Sequence, residues 1–359
     1  MKKVKIVFVL PTLHAGGAER VMSFLSENID QTKFTSSLVV VGYEKNSKYE
    51  IKNIPVYFLN KNRVASSIPS LIKILRKLNP DIVLSSIAHI NSVMAIISLI
   101  FPKTKFIGRE ANVLSVVKNY KKQSKRLGNI ISPSKSYKLL DMIICQSNDM
   151  YQDMLNNYKI PENKLRVINN PITDKFDLKN NYKINKDETK FISVAALKKQ
   201  KGHERILRVL AKLNIPFKYT IIGNGGEKEP LLRLIEQLNL KDKIQHIPYT
   251  NEVSKYLAEH DFFLQGSYVE GFPNSLIESC AVGTPVLAFN APGGLNEIIE
   301  PGINGLIAKE EKEYLENIVR AVNKSNWSPS VIRDSVYKKF NSEKILKEYE
   351  DLFLEVMKK

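Results

Sequence analysis

Two glutamates, Glu270 and Glu278, lie eight residues apart on either side of a Gly-Phe-Pro turn. Residues 261–264, an Asp followed by Phe-Phe-Leu, predict a short buried strand before the turn. A helix over residues 274–282 is expected after it, with Asn274 or Ser275 as its N-cap. Backbone N–H groups and the positive end of the helix dipole would meet at the turn, which suits a phosphate group. One carboxylate could hold the hydroxyls of a bound sugar and the other the ribose of a nucleotide. The alternative is an ordinary loop glutamate and a solvated helix glutamate.

A second candidate phosphate-binding turn lies near the start of the sequence. Residues 4–10 are almost all apolar, as in a strand buried on both faces of a parallel sheet. Gly16 and Gly17 follow and permit a tight turn with a close backbone approach to a ligand. Residues 18–27 then have helical spacing. The Gly-x-Gly-x-x-Gly dinucleotide fingerprint is absent, so a plain turn is the alternative interpretation.

Both turns belong to a regular alternation of strands and helices. The expected strands of the first half are residues 37–41, 55–59, 81–85, 105–108, 142–145 and 165–168. After a polar, turn-rich linker the alternation restarts with a strand at 191–195. Such alternation predicts an α/β protein with doubly wound parallel sheets, whose ligands bind at the carboxyl ends of the strands. We expect a first domain over residues 1–170, a second over 171–341, and a charged amphipathic helix over 342–359.

Composition supports two folded domains in a reducing compartment. The chain has 359 residues, of which 43% are hydrophobic and 25% are charged, so each half can bury a core. Its two cysteines, Cys145 and Cys280, lie in apolar segments of different halves, which favours buried free thiols over a disulfide. The apolar runs fall well short of the ~20 residues that span a bilayer. A cytoplasmic protein is therefore expected.

The net charge of +17 is unevenly distributed. Residues 1–170 carry 26 Lys and Arg against 11 Asp and Glu, whereas the remainder is nearly balanced. This asymmetry predicts a polyanionic partner for the first half: nucleic acid, anionic lipid or a pyrophosphate-linked substrate. Residues 118–138 interleave basic and apolar side chains without an acidic residue, which indicates contact with an anionic membrane surface. A solvated basic helix face is the alternative. The residues assigned to membrane contact are Lys118, Lys121, Lys122, Lys125 and Arg126.

The segment around Glu270 and Glu278 resembles the Glu-x7-Glu signature of the family-4 retaining glycosyltransferases, which have the GT-B fold. Other stretches match that family in the expected order. They are Gly-Gly-Ala-Glu-Arg at 16–20, Gln-Lys-Gly at 200–202, the Gly-rich turn at 223–226, Gly-Gly-Leu-Asn-Glu at 293–297 and Pro-Gly-Ile-Asn-Gly at 301–305. The resemblance implies two Rossmann-like domains that face each other across a cleft. The first would bind the acceptor, the second would bind the donor, and the C-terminal helix would pack back on the first.

The implied reaction is transfer of a sugar, with retention of anomeric configuration, from a nucleotide sugar to a membrane-linked glycan acceptor. By family resemblance the donor is a uridine diphosphate (UDP) sugar carrying a hexose or N-acetylhexosamine. The product would belong to a bacterial capsule, lipopolysaccharide or lipid-linked oligosaccharide. Glu270 would position the donor sugar and Glu278 would hold the ribose, neither as a covalent nucleophile, and His89 would lie near the transferred sugar. The implied donor-binding residues are Gly16, Gly17, Lys201, Gly223, Asn224, Gly225, Ile247, Gly271, Phe272, Pro273, Asn274, Ser275, Leu276 and Glu278.

One departure from the family pattern concerns the pyrophosphate site. Ala196 stands where the family usually has an arginine, so one cation is missing beside the implied pyrophosphate ligand Lys201. Lys198, Lys199 and Arg205 are candidates to compensate. The chain has no Asp-x-Asp motif, so a metal-bridged diphosphate is not indicated and neither a metal nor another cofactor is expected. Lys201, the backbone N–H groups of residues 271–276 and a helix dipole would instead stabilise the leaving diphosphate.

On the acceptor side, Arg20, Arg109 and Glu110 are the candidate contacts. Two functions of other classes remain as alternatives. A sugar-nucleotide epimerase of the same fold would need paired carboxylates and a histidine for elimination chemistry. A nucleic-acid-binding protein would explain the charge but not the glutamate pair or the glycine turns, and no nucleic-acid-binding motif is present. The expected location is the cytoplasmic face of the membrane, with peripheral attachment.

Overall fold

The described part of the chain folds into two compact units. A computed structural model describes residues 2–120, 132–173, 176–180, 187–324 and 327–358. Unit 1 comprises residues 1–115, 122–173 and 342–359, and unit 2 comprises residues 116–121 and 174–341. The division after residue 173 lies close to the boundary expected from the sequence. The described residues 116–120, however, pack with unit 2 rather than with the first half of the chain.

Unit 1 is built on a seven-stranded parallel sheet. Its strands are β1 (Val4–Leu10), β2 (Phe34–Val40), β3 (Val56–Phe58), β4 (Ile82–Ser86), β5 (Lys105–Arg109), β6 (Met142–Cys145) and β7 (Leu165–Val167). They lie in the order β3-β2-β1-β4-β5-β6-β7. Strand β1 is entirely apolar from Ile6 to Leu10 because helices cover both faces of a parallel sheet.

The helices of the first half occupy the connections between these strands. They are α1 (Gly17–Asn28), α2 (Ile68–Leu78), α3 (Ala88–Ile97), α4 (Leu114–Val117), α5 (Pro133–Ser136) and α6 (Asn148–Asn156). In α2 the buried Leu71 and Leu75 lie one turn apart, so one face of the helix packs on the sheet while Lys73 and Arg76 remain exposed. The helix ends at Asn79, whose φ of 45° is left-handed, a conformation that asparagine tolerates.

Unit 2 repeats the plan with six parallel strands. They are β8 (Thr189–Val194), β9 (Phe217–Ile222), β10 (Ile244–Ile247), β11 (Phe262–Gln265), β12 (Val286–Phe289) and β13 (Gly305–Ala308). Their order is β10-β9-β8-β11-β12-β13. The accompanying helices are α7 (His203–Leu210), α8 (Lys228–Gln237), α9 (Val253–Glu259), α10 (Asn274–Val282), α11 (Leu295–Ile298), α12 (Glu311–Asn323) and α13 (Pro329–Phe340).

The last helix, α14 (Ser342–Lys358), returns to unit 1. Its apolar residues recur at helical spacing, and Ile345, Tyr349 and Phe353 enter the core that contains β1 and β2. The ring of Phe353 meets that of Phe34 edge to face, with centroids 6.0 Å apart. A buried aromatic side chain of this kind contributes about 2–3 kcal/mol. The C-terminal helix is therefore an integral part of the first core.

Both sheets have the doubly wound topology that the sequence predicts. The strand order reverses between β1 and β4 in unit 1 and between β8 and β11 in unit 2. Ligands of doubly wound proteins bind at the carboxyl ends of the strands that flank such a reversal. The prediction of an α/β protein with two Rossmann-like parallel sheets is confirmed. Among the described residues, no helix is both long enough and apolar enough to cross a bilayer.

Candidate active site

The loops that follow β8 and β11 meet at the reversal point of unit 2. The first carries Lys201 at the end of a short turn, Lys199–Lys201, and the second carries Glu270. Between Lys201 and α7, Gly202 has a φ of 56°, and a Cβ at this position would collide with the carbonyl oxygen of Gly266. The backbones of the two loops therefore touch, and this close approach brings residues distant in sequence together.

Lys201 and Glu270 form an ion pair at this point. The Lys201 Nζ lies 2.6 Å from Oε1 and 2.7 Å from Oε2 of Glu270. The side chains are only 21% and 9% exposed, so the interaction is weakly screened by solvent. Ser267 Oγ donates to the same Oε1 over 2.5 Å and Gln265 Nε2 over 3.2 Å. Three side chains thus donate hydrogen bonds to one carboxylate group at the edge of the sheet.

Gln265 has one polar atom left over in this cluster. It ends β11 and is buried, and its Oε1 has no hydrogen-bond partner among the described residues. A buried acceptor without a partner costs about 1–3 kcal/mol. The atom can therefore accept a hydrogen bond from a ligand hydroxyl. Neither Gln265 nor Ser267 was predicted from the sequence, because isolated polar residues at the end of a strand occur in many proteins.

The turn after Glu270 is fixed by a second loop. The Glu270 N–H donates to the Pro292 carbonyl over 2.9 Å. Gly293 has a φ of 119°, and a Cβ there would collide with the Glu270 backbone. Only glycine fits this position, because the conformation is left-handed and the approach is close. The Gly-Gly turn that resembles the family pattern therefore packs against the backbone of Glu270 and fixes its position.

Helix α10 begins directly after this turn and carries Glu278, which is buried. The helix starts at Asn274, and Pro273 occupies the N-cap position with a φ of −76°. The prediction of Asn274 or Ser275 as the cap was therefore wrong. The proline replaces it because its ring fixes φ near this value before the first helical residue. The N-terminus of α10 still lies next to Glu270, as the phosphate-binding hypothesis requires.

Arg205 supports the loop that follows β11 and does not stand in for the missing arginine. Its Nε donates to the carbonyl of Gly266 over 2.5 Å, and its Nη2 donates to the carbonyl of Ser267. The guanidinium lies between the rings of Tyr268 and Phe289, at 4.1 and 4.0 Å from their centroids. Burial lowers its pKa, but it remains a cation. With its donors directed to backbone carbonyls, Arg205 is a brace for the Glu270 loop.

Tyr268 extends this stack. Its hydroxyl donates to Glu204 over 2.8 Å, and burial together with this bond raises its pKa to about 12. Tyr120, from the segment that packs with unit 2, stacks on the Tyr268 ring with centroids 5.4 Å apart. Aromatic pairs of this kind contribute about 0.5–1.5 kcal/mol beyond their burial. The loop before Glu270 is therefore held by packing on several sides.

His203 begins α7 directly behind Lys201 and Gly202. Burial is the main reason that its pKa falls to about 4, and the charges of Lys201 and His246 lower it further. The ring is therefore neutral at physiological pH. A lone histidine at the start of a helix has no distinctive sequence pattern, so His203 was not among the predicted site residues.

The predicted Gly-rich turn at 223–225 lies beside the loop that follows β8. The Gly223 N–H donates to the carbonyl of Ile247 over 2.9 Å, and the Leu197 N–H donates to the carbonyl of Asn224 over 3.0 Å. A Cβ at Gly223 would collide with the carbonyl oxygen of Ala195. The structure thus gathers three segments predicted to bind the donor, namely 195–201, 223–225 and the end of β10, at one edge of the sheet.

In unit 1 the predicted Gly-Gly turn caps α1. Gly16 is the N-cap of this helix and Gly17 its first residue. The Glu19 carboxylate lies so close that a Cβ on Gly16 would collide with it, and Glu19 Oε1 accepts a hydrogen bond from Thr12 Oγ over 3.0 Å. Arg20 follows in the first turn and is partly buried. An acidic side chain of the protein therefore lies at the N-terminus that was predicted to receive a phosphate.

Arg109 and Glu110 lie at the end of β5 as expected, but their burial argues against contact with an acceptor. Arg109 is fully buried. Its guanidinium donates to Tyr349 Oη of α14 over 3.0 Å and to Asn170 Oδ1 over 2.5 Å. Glu110 is 1% exposed and accepts a hydrogen bond from Tyr137 Oη over 2.6 Å. Both residues tie the core of unit 1 together, and we correct their assignment accordingly.

His89 lies on an exposed site at the start of α3. Ile87, just before the helix, has a φ of 84°, which is strained for a β-branched residue and costs about 1–3 kcal/mol. This strained turn follows β4, at the reversal point of the sheet, and directs His89 into a cavity of about 490 Å³ in unit 1. The role of His89 near a bound sugar stays a prediction.

Most of the predicted membrane segment lies outside the described residues. Lys121, Lys122, Lys125 and Arg126 belong to that gap, while Lys118 is exposed in a short turn, Lys118–Tyr120. Among the residues that are described, no group of three or more His, Cys, Asp and Glu side chains is arranged to hold a metal ion.

Two family models match consecutive parts of the chain. Residues 15–176 match Glycosyltransferase Family 4, and residues 174–334 match Glycosyl transferases group 1. The matches meet where unit 1 gives way to unit 2.

Two named relatives are similar in sequence, one over most of this chain and the other over about a third of it. The N-acetylgalactosamine-N,N'-diacetylbacillosaminyl-diphospho-undecaprenol 4-alpha-N-acetylgalactosaminyltransferase of Campylobacter jejuni is 30% identical over 325 residues, which are 86% of this chain and 87% of the relative. The O-antigen biosynthesis glycosyltransferase WclY of Escherichia coli is 32% identical over 140 residues, which are 37% of this chain and 39% of the relative.

Solved structures share the fold over the whole length. A glycosyltransferase from Rickettsia africae superimposes with a TM-score of 0.81 at 21% identity and covers 100% of both chains. Anabaena HepE in complex with UDP and glucose superimposes with a TM-score of 0.79 at 16% identity and covers 98% of this chain and 100% of that one. The two doubly wound units therefore define a glycosyltransferase of the GT-B fold. More narrowly, the chain belongs to glycosyltransferase family 4, as its sequence motifs predicted.

Proposed function

We propose that this glycosyltransferase moves a sugar from a UDP-sugar to a lipid-linked glycan acceptor with retention of anomeric configuration. The observation that carries the proposal is the Lys201–Glu270 pair, held beside the N-terminus of α10 at the reversal point of unit 2. A cation, a carboxylate and a helix N-terminus together suit the diphosphate and the sugar of such a donor. The names of the relatives add support, since the Campylobacter jejuni enzyme acts on a diphospho-undecaprenol substrate and HepE was solved with UDP.

In this proposal each group has one task. Lys201 and the backbone N–H groups of residues 271–276 stabilise the charge that develops on the leaving diphosphate. Glu270 accepts hydrogen bonds from the hydroxyls of the donor sugar and so positions it, aided by the unpaired Gln265 Oε1. Glu278, one turn into α10, holds the ribose. The donor phosphate takes the proton of the acceptor hydroxyl, so no protein side chain needs to form a covalent intermediate.

Donor binding must rearrange the ion pair. Lys201 donates two short hydrogen bonds to Glu270, and a diphosphate that replaces one of them frees a carboxylate oxygen for a sugar hydroxyl. Ser267 and Gln265 keep hold of the carboxylate while Lys201 turns to the phosphate. We also propose that no metal ion takes part, because the sequence lacks an Asp-x-Asp motif. Activity that persists in a chelator after dialysis would agree, and activity restored only by a divalent cation would not.

A screen of nucleotide sugars for release of nucleoside diphosphate tests the proposal. The purified chain should release UDP from one UDP-sugar, and addition of a lipid-linked acceptor should accelerate release. The anomeric configuration of the product, read by NMR coupling constants, should match that of the donor. An epimerase would instead change the sugar without a dependence on the acceptor. Absence of diphosphate release from every nucleotide sugar, with or without acceptor, would contradict the proposed function.

A further inference from the structure

The cavity of about 490 Å³ in unit 1 has an unusual charge pattern. It is lined by residues from four segments that follow β1, β2, β3 and β4. Four lining side chains carry or can carry a positive charge: His14, Lys61, Arg63 and His89. None of the residues that line it is Asp or Glu. The volume is in the usual range of about 300–1,000 Å³ for small-molecule sites.

Two acidic residues lie next to the cavity without lining it. Glu19 accepts a hydrogen bond from the lining residue Thr12, and Glu44 follows the lining residue Tyr43 in the sequence. Neither Lys61 nor Arg63 forms an ion pair with any residue that the structure describes. Like charges that share a concave surface repel, and an anion bound between them relieves the repulsion.

Hydrogen bonds fix the backbone that leads to these cations. The N–H groups of Leu59, Asn60 and Lys61 donate to carbonyls of residues 40–42 at the end of β2. Asn60 has a φ of 54°, a left-handed conformation that asparagine tolerates. The Gly42 N–H in turn donates to the Pro11 carbonyl. The backbone up to Lys61 is therefore preorganised, which reduces the entropy lost on binding.

We propose that this cavity binds a phosphate group of the acceptor, held between Arg63 and Lys61 with His14 at its edge. The inference rests on the proposed function and specifies its acceptor as a phosphorylated one. A neutral sugar is recognised largely through carboxylate and amide groups that pair with its hydroxyls, whereas guanidinium and ammonium groups without a carboxylate match phosphate. The phosphate belongs either to a lipid diphosphate or to a free glycosyl phosphate.

Calorimetry with inorganic pyrophosphate tests the site without turnover. Both tested proteins carry Lys201→Ala, which weakens the donor-side contact. The cavity variant also carries Lys61→Gln and Arg63→Gln. The charge-matched control carries Lys73→Gln and Arg76→Gln instead. The control pair lies on the exposed face of α2 outside the cavity. We expect the cavity pair to weaken binding by about tenfold or more, from the loss of charge-assisted contacts, and the control pair to leave it within about twofold. Equal affinity in the two variants would overturn the inference.

Kinetics on the otherwise native chain then identify the source of the phosphate. The probes are one N-acetylhexosamine linked to a short prenyl diphosphate, as a free 1-phosphate, and as an octyl glycoside without phosphate. If the phosphate comes from a lipid diphosphate, the Lys61→Gln, Arg63→Gln variant should have a kcat/KM about tenfold lower on the prenyl diphosphate. If it comes from a free glycosyl phosphate, the same loss should appear on the 1-phosphate. In both cases the kcat/KM for the octyl glycoside should be unchanged. An equal loss on all three probes would overturn the inference.

The two proposals fail in different ways. If no nucleotide sugar is consumed, the proposed function fails although the pyrophosphate affinities can still be compared. If UDP release is intact but the cavity variant binds pyrophosphate as the control does, the phosphate site alone is refuted.

Discussion

At the scale of single residues, the contact between Lys201 and Glu270 organises the site. Sequence motifs predicted both residues, and the structure brings their side chains to 2.6 Å. The motifs did not indicate Ser267 and Gln265, which bind the same carboxylate. Their contribution depends on how the loop after β11 folds back on itself, and short polar residues near a turn carry no sequence signal for that path.

Replacement of Lys201 by Ala should weaken binding of UDP. A charge-assisted contact contributes about 1.5–3 kcal/mol, so the affinity should fall by about 10- to 150-fold. The effect should be large because Ala196 already lacks the cation that the family pattern supplies. Calorimetry measures it, with the exposed Lys241→Ala as control. Unchanged affinity would show that the phosphates bind elsewhere, and tighter binding in Ala196→Arg would show that the second cation position is intact but vacant.

His203 should make stability depend on pH. Its pKa is 6.5 in the unfolded chain and about 4 in the folded protein. The unfolded chain therefore takes up a proton that the folded protein excludes, and the free energy of unfolding falls as pH drops from 6.5 to about 4. Thermal melts in this interval should show a smaller loss of Tm for His203→Gln than for the native protein. His14→Gln, at an exposed histidine, is the control, and identical pH profiles for all three proteins would refute the assignment.

At the scale of elements, the strands and their doubly wound arrangement could be anticipated, whereas the cap of α10 and the role of buried polar residues could not. Apolar runs separated by helical spacing determine a doubly wound sheet, because buried parallel strands require both features. Helix α10 begins at Asn274 as predicted, but its N-cap was assigned to the wrong residue, because Asn, Ser and Pro all suit a helix start and the local backbone selects among them. Arg109 was misassigned because a polar residue after a strand has the same pattern whether it binds a ligand or is buried.

The brace formed by Arg205 is a further element-level feature. Arg205→Lys keeps the charge but loses the planar group that stacks between Tyr268 and Phe289 and donates to two carbonyls. The Glu270 loop should loosen, and we expect kcat to fall by about tenfold or more with little change in the KM for the donor. Arg208→Lys, on the exposed face of α7, is the matched control. A change confined to KM would indicate that Arg205 contacts the donor directly.

At the scale of the whole molecule, distant segments complete each unit. Tyr349 of α14 contributes its hydroxyl to the buried guanidinium of Arg109, which lies 240 residues earlier in the chain. No local pattern predicts a contact over such a separation, although the family resemblance implied that the C-terminal helix packs back on the first domain. The charge asymmetry belongs to the same scale, since the excess of Lys and Arg falls in the first half of the chain.

The charge asymmetry predicts binding to anionic membranes. Sedimentation with liposomes should show binding that requires anionic lipid and weakens as salt rises, because exposed charges are screened over ~10 Å at 0.1 M salt. Binding should fall when Lys121, Lys122, Lys125 and Arg126 are changed to Gln. A control changes four exposed lysines of unit 2 to Gln: Lys218, Lys241, Lys255 and Lys312. Equal binding to neutral and anionic vesicles would contradict the prediction that the basic segment binds anionic lipid.

Turnover of Glu270→Gln tests the central claim most directly. The substitution keeps the shape of the side chain and removes the charge that pairs with Lys201 and orients the donor sugar. UDP release and sugar transfer should fall by about 100-fold or more while the thermal melt still shows a folded protein. Glu259→Gln, at an exposed residue of α9, should transfer sugar at the native rate. Near-native turnover by a folded Glu270→Gln variant would contradict the assignment of this site.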